Sequence, residues 1–288
     1  MSDNMAVTES RRREAPGFPD SLKWRVISGS VLAAVAFTLA YAGPVYFAAL
    51  VLVIALFIAW EWGHMVRGTT ADLAFFVHAV AVTAAVGLAT AGYAALGVAV
   101  LVTAAIILVP LVFGRGARLS ALGVFYAGLP ALSLLWLRLD EPYGLSAVLF
   151  IFAIVWTSDI AAYAAGRLIG GPRLWPRISP KKTWAGLIGA VSASALIAGL
   201  IAPLLADASP LRLAITGASL SLVAQMGDLA ESALKRLFGL KDASHFIPGH
   251  GGFMDRMDSI VAVAVAAALL ALAVGPHEPA RALLSGAG

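Results

Sequence analysis

The chain has 288 residues, of which 60% are hydrophobic and 12% charged, with no cysteine and a formal net charge of +4. A soluble domain carries about 25% charged residues, so this is the composition of a polytopic membrane protein, and the missing thiols exclude disulfides, thiolate metal sites, iron–sulfur clusters and cysteine catalysis. The small basic excess lies outside the apolar runs, where it reports orientation and anionic headgroups and gives no support to nucleic-acid binding.

In chain order, residues 1–22 are polar, with Arg11, Arg12 and Arg13, and read as a disordered cytosolic tail. Apolar runs of spanning length follow at 24–42, 44–60, 72–91, 93–113, 119–137, 144–166, 184–206, 211–230 and 258–275. The fold class expected is therefore all-α, with about nine transmembrane helices. Ala40-Tyr41-Ala42 has the pattern of a signal-peptidase site, but the run before it is long enough to span and leads straight into the next, so an uncleaved first span is expected. Counted by alternate sides, all of the 20 Lys and Arg except Arg138, Arg212 and Arg281 fall on one side. The positive-inside rule makes that side the cytosol. The chain then divides into N-terminal helices (23–143), a region with two cytosolic polar loops (144–275) and an external tail (276–288). Gly87, Ala91, Gly123, Gly128, Gly189 and Gly199 suit close helix packing. Glu61, His64 and Arg67, beside Trp60 and Trp62, read as an interfacial anchor.

The stretch 156–186 is the first with chemical content. Asp159, Tyr163 and Gly166 share one helical face inside a nominal span, where an acid is costly and functional by default. A structural ion pair with Arg167 or Lys181 is the plainer alternative. A basic Gly/Pro loop follows, ending in Ser179-Pro180-Lys181-Lys182-Thr183, whose cations suit phosphate.

The second stretch, 225–259, holds Asp228, Glu231, Asp242, Asp255 and Asp258. Asp228, Glu231, Ser232 and Lys235 fall at i, i+3, i+4 and i+7, one face of a helix. A Gly-rich connector then returns the chain to Asp255, Arg256 and Asp258 at the start of the last apolar run. Carboxylates on two elements, with Lys235, Arg236, Lys241 and Arg256 around them, suit an oxygen-ligated hard cation serving a polyphosphate, with Mg²⁺ and a nucleotide the natural pair. No Walker A or dinucleotide glycine pattern occurs, so phosphate would be held by Lys and Arg side chains and by the backbone of Gly249, His250, Gly251 and Gly252.

The run Ser232, Leu234, Lys235, Arg236, Lys241, Asp242, Ser244, Pro248, His250, Gly251, Gly252, Asp255, Arg256 and Asp258 resembles the signature of the phosphatidate cytidylyltransferase (CDP-diacylglycerol synthase) family. Gln225, Gly227, Asp228, Glu231 and Ser232, and the SPKKT segment, resemble two further motifs of that family. The loop departs from the family form at Gly171, where a Lys is usual, and at Ala185, where a Glu is usual.

The resemblance implies transfer of the cytidylyl group of CTP to phosphatidic acid by a homodimeric membrane enzyme that uses Mg²⁺ and accommodates a second cation. Asp228 and Asp255 are then expected at the metal, with Glu231 and Asp258 in support. Lys235, Arg236, Lys241 and Arg256 are expected on CTP or pyrophosphate; Ser179, Lys181, Lys182, Gly251, Gly252 and Asp159 around the substrates; and His250 hydrogen-bonding phosphate or loop backbone. An enzyme for another lipid phosphate, or a cation-coupled carrier using Asp159 and Asp228, is the alternative from sequence.

Overall fold

The computed structural model describes residues 21–112, 116–205, 207–244 and 251–286, without the side chains of residues 21–28. The expected tail, all but its last two residues, and His250 lie outside the described residues.

Ten helices are described: α1 (Ser21–Ala42), α2 (Pro44–Arg67), α3 (Leu73–Thr90), α4 (Ala94–Leu111), α5 (Gly116–Arg138), α6 (Gly144–Leu168), α7 (Trp184–Ile201), α8 (Pro210–Leu237), α9 (Met254–Val274) and α10 (Pro279–Leu284). In hydrocarbon every backbone N–H and C=O must be paired within the segment, so apolar runs of this length fold as helices. The eight from α2 to α9 are long and apolar enough to cross a membrane; the apolar part of α1, Gly29–Ala42, is shorter. The chain is thus a multi-pass membrane protein. Large apolar side chains such as Ile106, Ile188 and Leu196 stand on outer faces, as a bilayer solvent allows.

Turns follow local chemistry. Pro44 and Pro210 sit at helix starts, where a missing N–H costs nothing. Gly68 ends α2 at φ 72°, its N–H returning to the His64 carbonyl, and the Asp72 carboxylate caps α3 through the Phe75 N–H.

Helices α2 to α5 pack on one another, as do α6 to α9, and α5 joins the groups through α6 and α9. Phe47, Trp62, Leu101 and Leu135 fill the first group; Phe150, Ile154, Leu213, Leu220 and Met254 fill the second.

Three features differ from the sequence expectation. The basic loop contains an antiparallel hairpin of β1 (Arg173–Trp175) and β2 (Ser179–Thr183), with Arg173 opposite Thr183 and Trp175 opposite Ser179. Helix α8 runs on past the apolar span expected to end at residue 230, to Leu237, and so holds Asp228, Glu231, Ser232 and Lys235 on one helix as their spacing predicts; Lys235 Nζ lies 3.0 Å from Glu231 Oε1 within it. The expected external tail is docked structure: α10 is buried against α9, and Asp140 caps it by accepting from the N–H groups of Ala280 and Arg281 at 2.7 and 3.3 Å.

Candidate active site

Helix α7 begins where Thr183 caps it, its Oγ1 accepting the Gly186 N–H at 3.1 Å. The cap fixes the hairpin over the ends of α6 and α8, so Lys181 and Lys182 enter the same space as Asp159 and Asp228. On the other side of α8, a Cβ on Gly227 would stand 2.6 Å from Ala262 Cβ and 3.0 Å from the Asp258 carbonyl. Only a glycine admits α9 this closely, and the contact sets Asp258 beside Asp228.

The result is a cleft of about 500 Å³ whose walls carry Asp159, Asp228, Asp255 and Asp258 together with Arg167, Lys181, Lys182 and Arg256. Tyr163, Thr183, Gln225 and Ser259 complete its polar lining. Lys182 Nζ lies 2.8 Å from Asp228 Oδ2 and donates to the Gln225 side-chain and backbone oxygens at 3.3 Å. Ser232 donates to Asp228 Oδ1 at 3.3 Å, and Arg167 to the Tyr163 hydroxyl at 3.1 Å. Below the cleft, Gln225 and Ser221 both donate to Ser158 Oγ, at 3.1 and 2.9 Å, tying α6 to α8.

Asp255 is held by three donors: Lys235 Nζ at 2.5 Å on Oδ1, and the N–H groups of Ala243 and Gly252, each at 2.9 Å, on Oδ2. A carboxylate has about four lone-pair sites, so capacity for a cation remains. Among the described residues no three Asp, Glu or His side chains close into a metal cage. Mg²⁺ needs only one or two carboxylates and completes its octahedron with water and substrate phosphate. The donor set is all oxygen, as a hard cation requires.

Several expected site residues are placed elsewhere. Lys235 does not line the cleft but lies between Asp255 and Glu231, whose Oε1 is 3.0 Å away; Glu231 Oε2 in turn accepts the Tyr126 hydroxyl at 2.7 Å. Its positive charge is engaged by two buried acids. Arg236 donates to the Leu240 carbonyl at 2.8 Å, and neither it nor Lys241 lines the cleft. Ser179 is likewise on the hairpin outside the lining. The Gly252 N–H is given to Asp255, and Gly251, at φ 84°, lies where a Cβ would be 3.0 Å from Asp255 Oδ2. The Gly252 N–H thus serves the acid, where a backbone donor to phosphate was expected. Glu61 and Trp62 are buried, so these two are not the solvent-facing part of an interfacial anchor that the sequence suggested.

A second, apolar cavity of about 460 Å³ adjoins the cleft, walled by α1, α2, α5, α6 and α9 through residues such as Leu32, Phe47, Ile54, Phe152 and Ile260. Asp159 and Arg256 line both spaces. The arrangement suits an amphiphile whose charged head meets the acids and cations while its apolar part lies among the helices. Tyr126, Ser158 and this cavity had no local signal, because their partners are distant in sequence.

The sequence profile described as the cytidylyltransferase family matches residues 23–274. The phosphatidate cytidylyltransferase of Brucella suis biovar 1 is 41% identical over 254 residues, covering 88% of this chain and 93% of that protein. That of Haemophilus influenzae is 33% identical over 274 residues, covering 84% of this chain and 95% of that protein. A shorter match, 46% identical over 123 residues, is to the phosphatidate cytidylyltransferase of Staphylococcus epidermidis. With its acid-and-base cleft formed from the elements that carry the matching motifs, the chain belongs to the cytidylyltransferase family.

Proposed function

We propose that the cleft is where CTP and phosphatidic acid meet. The chain is a phosphatidate cytidylyltransferase, making CDP-diacylglycerol and pyrophosphate. The single observation that carries the site assignment is the shared wall: Asp159 and Arg256 border both the polar cleft and the apolar cavity, as a reaction between a nucleotide and a lipid phosphate requires.

In this reading the diacylglycerol part lies in the apolar cavity and the lipid phosphate reaches the cleft past Arg256. A phosphate monoester has a second pKa of about 6, so its oxygen is largely ionised at neutral pH and needs no strong base. That oxygen attacks the α-phosphorus of CTP in line; the new P–O bond forms as the bond to the bridging oxygen breaks, and pyrophosphate leaves with that electron pair. Two polyanions must be brought together, and Arg167, Lys181, Lys182 and Arg256 offset their repulsion. Asp228 and Asp255 would hold Mg²⁺, which when bound supplies charge neutralisation at the phosphates. Asp258 adds a third carboxylate to the same wall in support of that pair, and Lys182 screens Asp228 until substrate arrives.

The proposal places the hairpin and the 231–257 stretch on the cytosolic side of the cell membrane, from the charge asymmetry of the loops. It includes the homodimer and second cation implied by the family resemblance. Purified protein in detergent, given labelled CTP, Mg²⁺ and phosphatidic acid, should form a lipid-soluble cytidine product. Product formation on another lipid phosphate but not on phosphatidic acid would overturn the substrate assignment.

A further inference from the structure

Glu61, near the C-terminal end of α2, is 0% exposed although it belongs to the helix group away from the motif stretches. Its Oε1 accepts from Ser244 Oγ at 2.5 Å and from the Phe253 N–H at 2.9 Å, and its Oε2 from the Met254 N–H at 2.6 Å. One turn earlier on α2, Phe57 stacks on Phe253, with centroids 4.5 Å apart and planes within 6°. Helix α2 therefore holds both described ends of the connector between α8 and α9, at Ser244 and at Phe253 and Met254.

The fit is chemical as well as steric. The first N–H groups of α9 have no partner in their own helix and form the positive end of its dipole, while a buried carboxylate needs donors on both oxygens. Glu61 and the start of α9 satisfy each other. Gly252 lies between two carboxylates: a Cβ there would be 2.5 Å from Glu61 Oε1, and its N–H donates to Asp255 Oδ2 at 2.9 Å. The described residues on either side of 245–250 are thus held by these two acids, the Ala243 N–H donating to Asp255 and the Ser244 hydroxyl to Glu61.

We infer that Glu61 is a positioning residue for cytidylyl transfer: it fixes the first turn of α9 and the near end of the connector so that Asp255 faces the cleft. The inference rests on the role proposed above for Asp255. Glu61 itself does not line the cleft, so it acts through that residue.

Glu61→Gln keeps the shape but offers one acceptor oxygen where two served, and turns an NH₂ toward N–H donors. In the purified full-length protein, kcat should fall by at least ~10-fold while KM for CTP stays within ~3-fold, the pattern of a lost transition-state interaction. Amide exchange over 251–257 should accelerate by at least ~10-fold, with exchange in α6 and α7 unchanged. The double variant Glu61→Gln/Asp255→Asn should be no slower than Asp255→Asn alone. Gly252→Ala, which pushes the Glu61 carboxylate away, should reproduce the single-variant pattern and decides the matter by the same readouts if Glu61→Gln does not fold. Wild-type kcat in the Gln variant with Asp255→Asn inactive, losses that multiply in the double variant, or a change confined to KM would each overturn the inference alone. Full activity of Asp255→Asn would overturn it together with the proposed role of that acid.

Discussion

Lys235 stands between Glu231 and Asp255, its Nζ 3.0 and 2.5 Å from their oxygens, and is only 8% exposed. Removing it leaves two buried carboxylates without their cation, a loss worth about 3–5 kcal/mol. Lys235→Met should therefore lower the thermal unfolding midpoint in detergent markedly, and unchanged unfolding with a raised KM for CTP would return this lysine to the phosphates. Lys181 and Lys182, which do line the cleft, should behave oppositely. Changing both to Gln should raise the apparent KM for CTP or phosphatidic acid, or lower turnover, at near-normal stability; intact kinetics in correctly inserted protein would make the segment topogenic only. The sequence showed correctly that Asp228, Glu231, Ser232 and Lys235 share a helix. It could not show that this face divides between the cleft and the α5/α9 interface. The decisive partner, Tyr126, is 105 residues from Glu231, and nothing local marks it. Glu61 was misread for the same reason: an acid beside tryptophans at a helix end has the composition of an anchor, and only packing reveals that α9 needs it as a cap.

At the scale of elements, two contacts set how the helices meet. Gly227 lets α9 approach α8, so Gly227→Val should separate Asp228 from Asp258 and abolish turnover while the protein still inserts; wild-type activity would show that this approach is not needed. The α2–α3 turn is held by Asp72, which pairs with Arg67 at 2.6 Å and caps α3 through the Phe75 N–H at 2.8 Å. Burial alone would raise the Asp72 carboxyl, but the Arg67 guanidinium and the Phe75 N–H outweigh it and hold the group below its ordinary value. A carboxyl depressed on folding stabilises fully above its unfolded pKa, about 3.9, and loses that contribution as pH falls through the folded value. Asp72→Ala should thus cost about 1 kcal/mol near neutrality, and the gap from wild type, read by unfolding at a series of pH values, should close in acid; a gap independent of pH would contradict the ion-paired cap. Hydropathy located the spanning helices well, because lipid leaves an apolar segment few alternatives to helix. It missed the hairpin, whose Pro- and Gly-rich basic strands read as loop, and α10, whose six residues are ordered by Asp140 far upstream.

For the whole molecule, the central relation is that a charged cleft among α6 to α9 and the hairpin, and an apolar cavity between the two helix groups, share a wall at Asp159 and Arg256. The two motif stretches were legible because their charges are rare in an apolar chain. The cavity was not, because apart from Asp159 and Arg256 its wall is made of ordinary apolar residues from α1, α2, α5, α6 and α9. The proposed orientation rests on the loop charges, and this cysteine-free chain makes it testable with single introduced cysteines. Positions 177 and 241 should resist labelling by an impermeant reagent outside intact cells, and labelling at either would reverse the topology. The most direct test of the account is a double-mutant cycle on Asp228 and Asp255, which lie on different helices and line one cleft. Assayed with CTP, Mg²⁺ and phosphatidic acid, Asp228→Asn and Asp255→Asn should each lower turnover by several orders of magnitude, since ~1.4 kcal/mol is tenfold in rate and a metal stabilises by several kcal/mol. The double variant should be scarcely slower than either single one, because residues acting as a unit are non-additive. Two modest losses that multiply, with Mg²⁺ binding in the presence of CTP intact by titration calorimetry, would mean that the acids act separately and would contradict a shared site.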